Sequence, residues 1–297
     1  MIEYSIGVDL GGTHIKFVAA KSNGEELARA HDTTDDDGDA AESWRQKIKS
    51  QIENWTQEFG APQSVGLSAP GLASRDERSI SFMPGRLQGL ENFDWTKQLG
   101  VSVRVLNDAH AALLGEVWQG AARQKSDVFM LTLGTGVGGA ILSGGKLLRG
   151  AIGRAGHLGH ISLNSNGAKD IVNTPGSLED AIGDCTVSQR SGGRFSSTRD
   201  LVEAHQKGDA DATKIWFESV KNLAAAIAGL INVLDPQAVV LGGGIAQSGD
   251  ALFHPLREYL SEWEWRPGGH TVEILPAQLG DFAGALGAAF YSRNEHV

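Results

Sequence analysis

Apolar residues near the N-terminus have the spacing of strands, and those that follow have the spacing of a helix. Residues 4–10, 14–20 and 25–33 are short apolar or alternating runs that predict three strands, with a glycine pair turning the first into the second. From residue 40 to residue 60, large apolar side chains recur every three or four positions, which predicts a helix with one buried face. The chain therefore opens with a meander of strands followed by a helix.

The second half of the chain repeats this arrangement. Residues 128–133 and 140–142 predict strands on either side of a glycine-rich turn. Residues 209–234 predict a long helix with one buried face, and residues 238–241 predict a strand that leads into three consecutive glycines. Two mixed α/β halves with the same order of elements predict a duplicated fold.

The repeat also indicates where the domains divide. We assign residues 1–119 to an N-terminal lobe and residues 120–280 to a C-terminal lobe, and we expect a last helix over residues 281–297 to join the first lobe. A length of 297 residues suits two domains of ordinary size. A cleft between two such lobes is the expected place for a ligand.

Composition and charge argue against several classes of function. The net charge of −10 argues against a nucleic-acid partner, because binding to phosphates is dominated by lysine and arginine. Cys185 is the single cysteine, so neither an intrachain disulfide nor an all-cysteine metal site can form. The N-terminus lacks the basic and apolar regions of an export signal, and the longest apolar stretch, residues 223–234, is too short to span a membrane. We therefore expect a cytoplasmic protein without a membrane partner.

Glycine-rich turns after predicted strands are the first candidates for a binding site. In Asp9-Leu-Gly-Gly-Thr13, backbone N–H groups and the threonine hydroxyl can approach a phosphate, and Asp9 can hold Mg²⁺ through water. A tight hairpin with a capping aspartate would explain the same residues. Leu241-Gly-Gly-Gly-Ile245 joins a strand to a helix, where a nucleotide could bind or where close packing alone could require glycine.

The segment Leu133-Gly-Thr-Gly-Val-Gly-Gly139 matches the glycine spacing of a dinucleotide-binding turn. That pattern needs a following helix and an acidic residue about 20 positions later. The next segment alternates like a strand instead, and residues 154–163 contain no aspartate or glutamate. We therefore interpret this segment as a second phosphate turn and reject dinucleotide binding.

Polar residues suited to catalysis or ligand binding lie at the ends of other predicted elements. Asn107-Asp108 follows a strand and begins a helix, where Asp108 could accept a hydroxyl proton during phosphoryl transfer or simply cap the helix. His157 and His160 lie in one glycine-rich loop without further metal ligands nearby, which favours hydrogen bonding to a polar ligand. Glu179 begins a short helix and could equally be a cap.

Taken together, these motifs resemble the ROK family of bacterial sugar kinases and regulators. The resemblance covers nearly the whole chain, in the family's order and spacing, and is carried by residues 9–13, Ser68-Ala-Pro-Gly71, Asn92-Phe-Asp-Trp95, residues 107–109, 133–139, 156–160, 234–236, 241–244 and 283–289. The family implies an actin-like, ribonuclease-H-type duplicated α/β fold in which ATP and a sugar meet in the cleft between the lobes.

The resemblance also implies a role for each matching residue. Asp108 would be the general base on a sugar hydroxyl. The residues that would line the sugar are Gly71, Asn92, Asn107, His160 and Glu179, with His157 at the position of a family glutamate. Those that would hold the phosphates are Gly11, Gly12, Thr13, Thr135 and Gly136, with Gly243 and Gly244 near the adenosine. The implied activity is the ATP- and Mg²⁺-dependent phosphorylation of a hexose or hexose derivative, in a homodimer.

Two positions depart from the family pattern. His157 replaces a glutamate that contacts the sugar, so an acceptor is lost, a donor is gained, and glucose specificity does not follow. Residues 161–184 contain no cysteine, and Ser177 stands where the last cysteine of the family's zinc motif would be, so we predict no structural zinc. Another group must then fix the tautomer and orientation of His160.

Two other functions compete with that of a sugar kinase. A catalytically weak or inactive sugar-sensing protein would fit the change at His157, although Asp108 and both phosphate turns are retained. The family's repressors carry a DNA-binding helix-turn-helix before the first glycine turn, whereas this chain has eight residues before Asp9. An actin-like or chaperone-type ATPase would share the phosphate turns but would leave Asn107-Asp108 and the histidine loop unexplained.

Overall fold

The computed structural model describes residues 2–36 and 41–293, and the chain divides into two compact units. Unit 1 comprises Met1–Gln124, Gly145–Ala155 and Gln278–Val297, and unit 2 comprises Lys125–Gly144 and Gly156–Ala277. The first division thus follows Gln124 rather than residue 119, and residues 145–155 belong to unit 1. Residues 294–297, the end of the expected last helix, lie outside the described residues.

Unit 1 is built on a five-stranded sheet that begins with the predicted meander. Strands β1 (Ser5–Leu10), β2 (His14–Ala20) and β3 (Glu26–Thr33) pair antiparallel in chain order. On the other side of β1 the sheet continues in parallel with β4 (Ser64–Ala69) and then β7 (Val103–Asn107), while β5 (Leu72–Ala73) and β6 (Ile80–Phe82) form a separate antiparallel pair.

Unit 2 repeats this strand order. Strands β8 (Val128–Leu133) and β9 (Val137–Ser143) form the antiparallel hairpin. The short β10 (Lys146–Leu147) follows in the chain, within the segment assigned to unit 1. Strand β11 (Ala238–Gly242) pairs in parallel with β8, and β12 (Glu273–Pro276) pairs in parallel with β11. The order β9-β8-β11-β12 matches β2-β1-β4-β7 in position and in strand direction, so the predicted duplication is confirmed.

Helices follow the strands in both units. Unit 1 contains α1 (Ala41–Phe59), α2 (Trp95–Leu99) and α3 (Asp108–Gln119). Unit 2 contains α4 (Leu178–Ile182), α5 (Val187–Arg190), α6 (Thr198–Gln206), α7 (Ala210–Leu234) and α8 (Asp250–Trp263). Helix α9 (Ala283–Arg293) returns the chain to unit 1.

The long helix α7 forms the centre of the apolar core of unit 2. Asp209 caps its N-terminus by accepting from Ala212 N at 2.9 Å, and Asp235, with φ of 44°, ends it. Among the described residues, α7 is long and apolar enough to cross a membrane, judged by length and composition alone. Half of its most apolar window is buried inside the protein, as expected for a core helix with one buried face.

Helix α9 packs against the sheet of unit 1 at backbone distance. A Cβ atom on Gly7 of β1 would lie 1.8 Å from Ala285 O, and one on Gly66 of β4 would lie 1.9 Å from Ala288 O. Only glycine allows such an approach without displacement of the helix backbone. Glycine at positions 7 and 66 therefore allows the backbone of α9 to lie directly against β1 and β4.

Candidate active site

Asp9 lies near the end of β1, just before the first glycine turn. Ser68 Oγ on the neighbouring β4 donates to Asp9 Oδ1 at 2.5 Å, and the backbone of Gly284 in α9 covers the carboxylate so closely that a Cβ there would clash with it. Burial raises the pKa of Asp9 to about 6; the Ser68 hydrogen bond opposes this rise, and the charges of Asp108 and Asp281 add to it. A hydrated divalent cation would offset this concentration of negative charge, so the donor set fits Mg²⁺.

The first glycine turn is held open by hydrogen bonds to its carbonyl groups. Thr34 Oγ1 donates to Gly11 O at 2.6 Å, and Thr34 N donates to Thr13 O at 2.9 Å. Thr34 is fully buried, whereas Thr13 is exposed. A Cβ on Gly12 would lie 3.6 Å from a terminal nitrogen of Arg86, so a guanidinium borders the turn. Exposed donors and a nearby cation are what a phosphate requires.

Asn107 and Asp108 mark the junction of β7 and α3, as the sequence predicts. Asn107 Oδ1 accepts from the N–H groups of Ala109 and His110 at 3.0 and 3.2 Å, which caps the helix. Its Nδ2 donates to Gly71 O at 3.0 Å. Asp108 is exposed in the first turn of α3.

Gly71 and Asn92 lie on either side of strand β6. Gly71 has φ of 98°, and a Cβ there would lie 2.4 Å from Phe82 O and 3.0 Å from Ile80 Cγ2. Asn92, with φ of 56°, donates its N–H to Ile80 O at 2.7 Å. The predicted sugar residues of unit 1 are thus tied together through β6 and the side chain of Asn107.

The second glycine turn joins β8 to β9 and is held by the segment that follows α4. Asp184 N donates to Gly134 O at 3.0 Å, and Cys185 N donates to Thr135 O at 2.8 Å. Thr135 is exposed, like Thr13 in the first turn. A Cβ on Gly136 would lie 2.3 Å from Glu179 Oε2, so the turn passes directly under that carboxylate.

Glu179, a predicted sugar residue, has a structural contact with the second glycine turn. It lies in the first turn of α4, and its Oε2 accepts from Val137 N at 2.9 Å. The carboxylate thereby fixes the start of β9 immediately after Gly136. The sequence predicts Glu179 as a sugar residue or a cap but carries no signal that it holds the second glycine turn.

The histidine loop packs on the same strand. A Cβ on Gly159 would lie 2.0 Å from Val137 O, which brings the 3₁₀ turn Leu158–His160 against β9. His160 Nδ1 lies 2.8 Å from Asp170 Oδ2, and His157 is half-buried at the start of the turn. Within residues 2–36 and 41–293, no group of three histidine, cysteine or acidic side chains is placed to hold a metal ion.

The last glycine segment contacts the end of β8. Gly243 has φ of 85°, and a Cβ there would lie 2.3 Å from Leu133 O. A cavity of about 740 Å³ in unit 2 extends from Thr135 to Gly244 and is also lined by residues of α6. Its size lies within the range of small-molecule and cofactor sites.

The predicted site residues therefore form one set in each unit. Unit 1 holds Asp9, Gly11, Gly12, Thr13, Gly71, Asn92, Asn107 and Asp108, and unit 2 holds Thr135, Gly136, His157, His160, Glu179, Gly243 and Gly244. The contacts of Ser68, Thr34 and Asp170 were not predicted from the sequence. Ser68 belongs to a quoted motif, whereas a buried threonine at a strand end and an acid ten residues after His160 carry no sequence signal of their own.

Known proteins match this chain over nearly its full length. The sequence profile of the ROK family matches residues 5–295. The chain belongs to the ROK family. A glucokinase from Thermotoga maritima is 33% identical over 96% of this chain and 95% of its own length, and an N-acetyl-D-glucosamine kinase from Mannheimia succiniciproducens is 30% identical over 95% of this chain and 97% of its own.

A crystal structure of a ROK family glucokinase from Streptomyces griseus in complex with glucose and AMPPNP also resembles this chain. It superposes with a TM-score of 0.78 at 29% identity, covering 98% of this chain and 99% of that one. This ROK protein shares its actin-like, ribonuclease-H-type fold. The family and the fold class predicted from the sequence are thus confirmed.

Proposed function

We propose that this ROK protein transfers the γ-phosphoryl group of ATP to a hydroxyl of a hexose or hexose derivative, with Asp108 as the general base. The protein is a sugar kinase, as its glucokinase and N-acetylglucosamine kinase relatives are. The observation that carries the finer proposal is the junction of β7 and α3. There, exposed Asp108 directly follows Asn107, whose side chain bonds the backbone of Gly71.

Asp108 would act on the acceptor hydroxyl. As the sugar oxygen bonds to the γ-phosphorus, the bond from that phosphorus to the bridging oxygen of ADP breaks, and the hydroxyl proton passes to the Asp108 carboxylate. Phosphoryl transfer depends on positioning and charge neutralisation more than on a strong base, so an ordinary aspartate suffices. The residues proposed to bind the sugar are Gly71, Asn92 and Asn107 of unit 1 and His157, His160 and Glu179 of unit 2.

The glycine turns would hold the nucleotide. Gly11, Gly12 and Thr13 would donate to phosphate oxygens in unit 1, as would Thr135 and Gly136 in unit 2. The cavity beside Gly243 and Gly244 would take the adenosine. Asp9 would hold Mg²⁺ through water, and the bound ion would neutralise charge on the phosphates.

The protein's surroundings and assembly are also part of the proposal. A cytoplasmic location is proposed from the family resemblance. The lack of cysteine in residues 161–184 supports an enzyme without structural zinc. A homodimer is proposed from the family resemblance alone.

Release of ADP from MgATP in the presence of hexoses, amino sugars and N-acetyl sugars tests the proposal. We expect turnover with at least one of them, and we expect Asp108→Asn to lower kcat about 100-fold or more while the sugar dissociation constant changes less than threefold. Glu42→Gln, which alters a first-turn carboxylate of α1, is the matched control and should leave kcat unchanged.

Three results would contradict the proposal. Full turnover by Asp108→Asn would exclude Asp108 as the base. ADP release that is independent of any sugar would indicate an ATPase. Sugar binding by calorimetry without ADP release would favour the sugar-sensing alternative.

A further inference from the structure

A short hairpin in unit 2 presents Asp170 to His160. Lys169 and Pro175 form an antiparallel bridge, and Asp170 N donates to Thr174 O at 2.9 Å. Asp170 Oδ1 accepts from the N–H groups of Val172 and Thr174, at 3.0 and 2.8 Å. The loop thus uses one carboxylate oxygen itself and leaves Oδ2 for the imidazole.

The second oxygen bonds His160 inside the protein. Asp170 Oδ2 lies 2.8 Å from His160 Nδ1, and the Asp170 side chain has no exposed surface. Burial acts to raise the pKa of Asp170, but the hydrogen bonds from His160, Thr174 and Val172 outweigh it, so the pKa lies below its ordinary value. The carboxylate is therefore ionised at neutral pH and can only accept.

An ionised acceptor at Nδ1 determines where the imidazole carries its proton. The shared hydrogen must belong to Nδ1, so neutral His160 has a lone pair on Nε2. A metal ion on Nδ1 would have the opposite effect, because Nε2 would then carry the proton and donate. The His160 side chain is still 26% exposed, and within the described ranges 2–36 and 41–293 no protein group hydrogen-bonds its Nε2.

We infer that Asp170 is a positioning residue that holds His160 in the Nδ1–H tautomer, so that Nε2 accepts a hydrogen bond from a hydroxyl of the sugar. The identity of the ligand rests on the proposed function, whereas the tautomer follows from the contacts of Asp170 alone. Because Glu179 also offers acceptor oxygens, this part of unit 2 selects a sugar that presents hydroxyl donors to it. A substituent that can only accept would leave the lone pair of Nε2 unpaired.

The variant Asp170→Asn tests the inference without changing the shape of the side chain. Its Oδ1 can still accept from Val172 and Thr174, which turns the amide nitrogen toward His160. An N–H donor at Nδ1 forces the proton to Nε2, and Nε2 then becomes a donor. The hairpin is kept while the polarity of the imidazole is reversed.

Nitrogen-15 NMR of histidine-labelled protein reads the tautomer directly, with the His160 signals assigned by their loss in His160→Gln. We expect the wild type to be protonated on Nδ1 and Asp170→Asn to be protonated on Nε2 at a pH where the ring is neutral. The KM for the sugar should rise about tenfold in Asp170→Asn, because a hydroxyl donor then faces another donor, while kcat changes less than threefold. Asp180→Asn removes a nearby carboxylate that does not hydrogen-bond His160. This control should change neither the tautomer of His160 nor the KM for the sugar.

The possible outcomes separate this inference from the proposed function. A wild-type ring protonated on Nε2 overturns it even if the enzyme phosphorylates sugars, and so does a reversed tautomer in Asp170→Asn with an unchanged sugar KM. If no sugar is phosphorylated, the proposed function fails while the wild-type spectrum still decides the tautomer. If Asp170→Asn does not fold, that spectrum decides in the same way.

Discussion

The two glycine turns occupy the same place in the duplicated topology, yet the side chains that hold them differ. In unit 1 the turn between β1 and β2 is fixed by a hydroxyl, because buried Thr34 donates to Gly11 O. In unit 2 the turn between β8 and β9 is fixed by a carboxylate, because Glu179 accepts from Val137 N. The second-last residue of β1 is Asp9, whereas the second-last residue of β8 is Thr132.

Because of this difference, we expect the two glycine turns to respond to different ligands. The first turn has its own carboxylate beside it and is fixed by a residue of the same meander, so we expect it to respond to nucleotide and Mg²⁺ alone. The second turn is fixed by a residue that is also proposed to touch the sugar. Occupancy by the sugar should therefore affect the second turn more than the first.

The largest expected effect concerns the close packing that distinguishes the sheet of unit 1. Gly7 lies against the backbone of α9, whereas β8 carries Met130 at the corresponding position. Because a Cβ would lie 1.8 Å from Ala285 O, Gly7→Ala should lower the free energy of unfolding by about 3 kcal/mol or more. Urea denaturation followed by circular dichroism measures this effect.

A glycine with free space in unit 2 serves as the control. Gly229 is an exposed residue of α7 with no atom within 4 Å of an added Cβ. Gly229→Ala should therefore raise the free energy of unfolding by about 0.5–1 kcal/mol, since alanine is the better helix former. Equal effects of the two substitutions would show that α9 does not approach β1 as described.

The next effect depends on Asp9, where β8 carries Thr132 at the corresponding position. The pKa of Asp9 is raised from 3.8 to about 6, so the folded state binds this proton more tightly than the unfolded state does. The resulting stabilisation is fully present below pH 3.8 and is lost as pH rises through 6. Asp9→Asn should therefore be more stable than the wild type at pH 7, by up to about 3 kcal/mol, and the advantage should vanish toward pH 4.

Urea midpoints of both proteins between pH 4 and pH 8 check this expectation, with Glu42→Gln as a control that should follow the wild type. Asp9→Asn should also bind MgATP more weakly than the wild type, since the proposed Mg²⁺ ligand is lost. A stability difference that does not change with pH would contradict the raised pKa of Asp9.

The smallest effects compare the two turns directly. Thr34→Val removes the donor to Gly11 O and should raise the KM for ATP up to about tenfold, with little change in the KM for the sugar. Glu179→Gln weakens the acceptor for Val137 N and should raise both KM values severalfold. Steady-state kinetics with each substrate varied in turn distinguishes the two patterns. If Thr34→Val raised the KM for the sugar as much as Glu179→Gln does, the expected difference between the two turns would be wrong.

Long periodic elements and glycine turns could be predicted from the sequence. The hairpins and helices α1 and α7 match the predicted segments closely, because both helices bury one face and therefore repeat their apolar residues. Helix α3 begins directly after Asn107, as the capping residue predicts. The strand expected after the second turn, β9, is present, which supports the rejection of a dinucleotide-binding turn. Strands β5, β6 and β12 were not predicted, because two to four residues are too few to show a period.

The contacts within the site could be predicted only where neighbours in sequence create them. The place of Asn107 between a strand and a helix predicts that it caps the helix, and its side chain accepts from the first N–H groups of α3. The bond from Asn107 to Gly71 and that from Glu179 to Val137 join distant segments, so no local pattern encodes them. The sequence indicated that His160 needs a partner, but only the hairpin geometry identifies Asp170.

The chain's single thiol offers a way to observe nucleotide occupancy. Cys185 is exposed, and its backbone N–H bonds the carbonyl of Thr135, so a maleimide fluorophore attached there would report from the second turn without prior removal of other cysteines. Partial desolvation of this exposed residue's thiol, helped by the charges of Glu179 and Asp180, raises the pKa of Cys185 above its ordinary value, so conjugation should proceed best in mildly alkaline buffer. Emission recorded during titration with ATP alone, and then with sugar, would follow ligand arrival in real time.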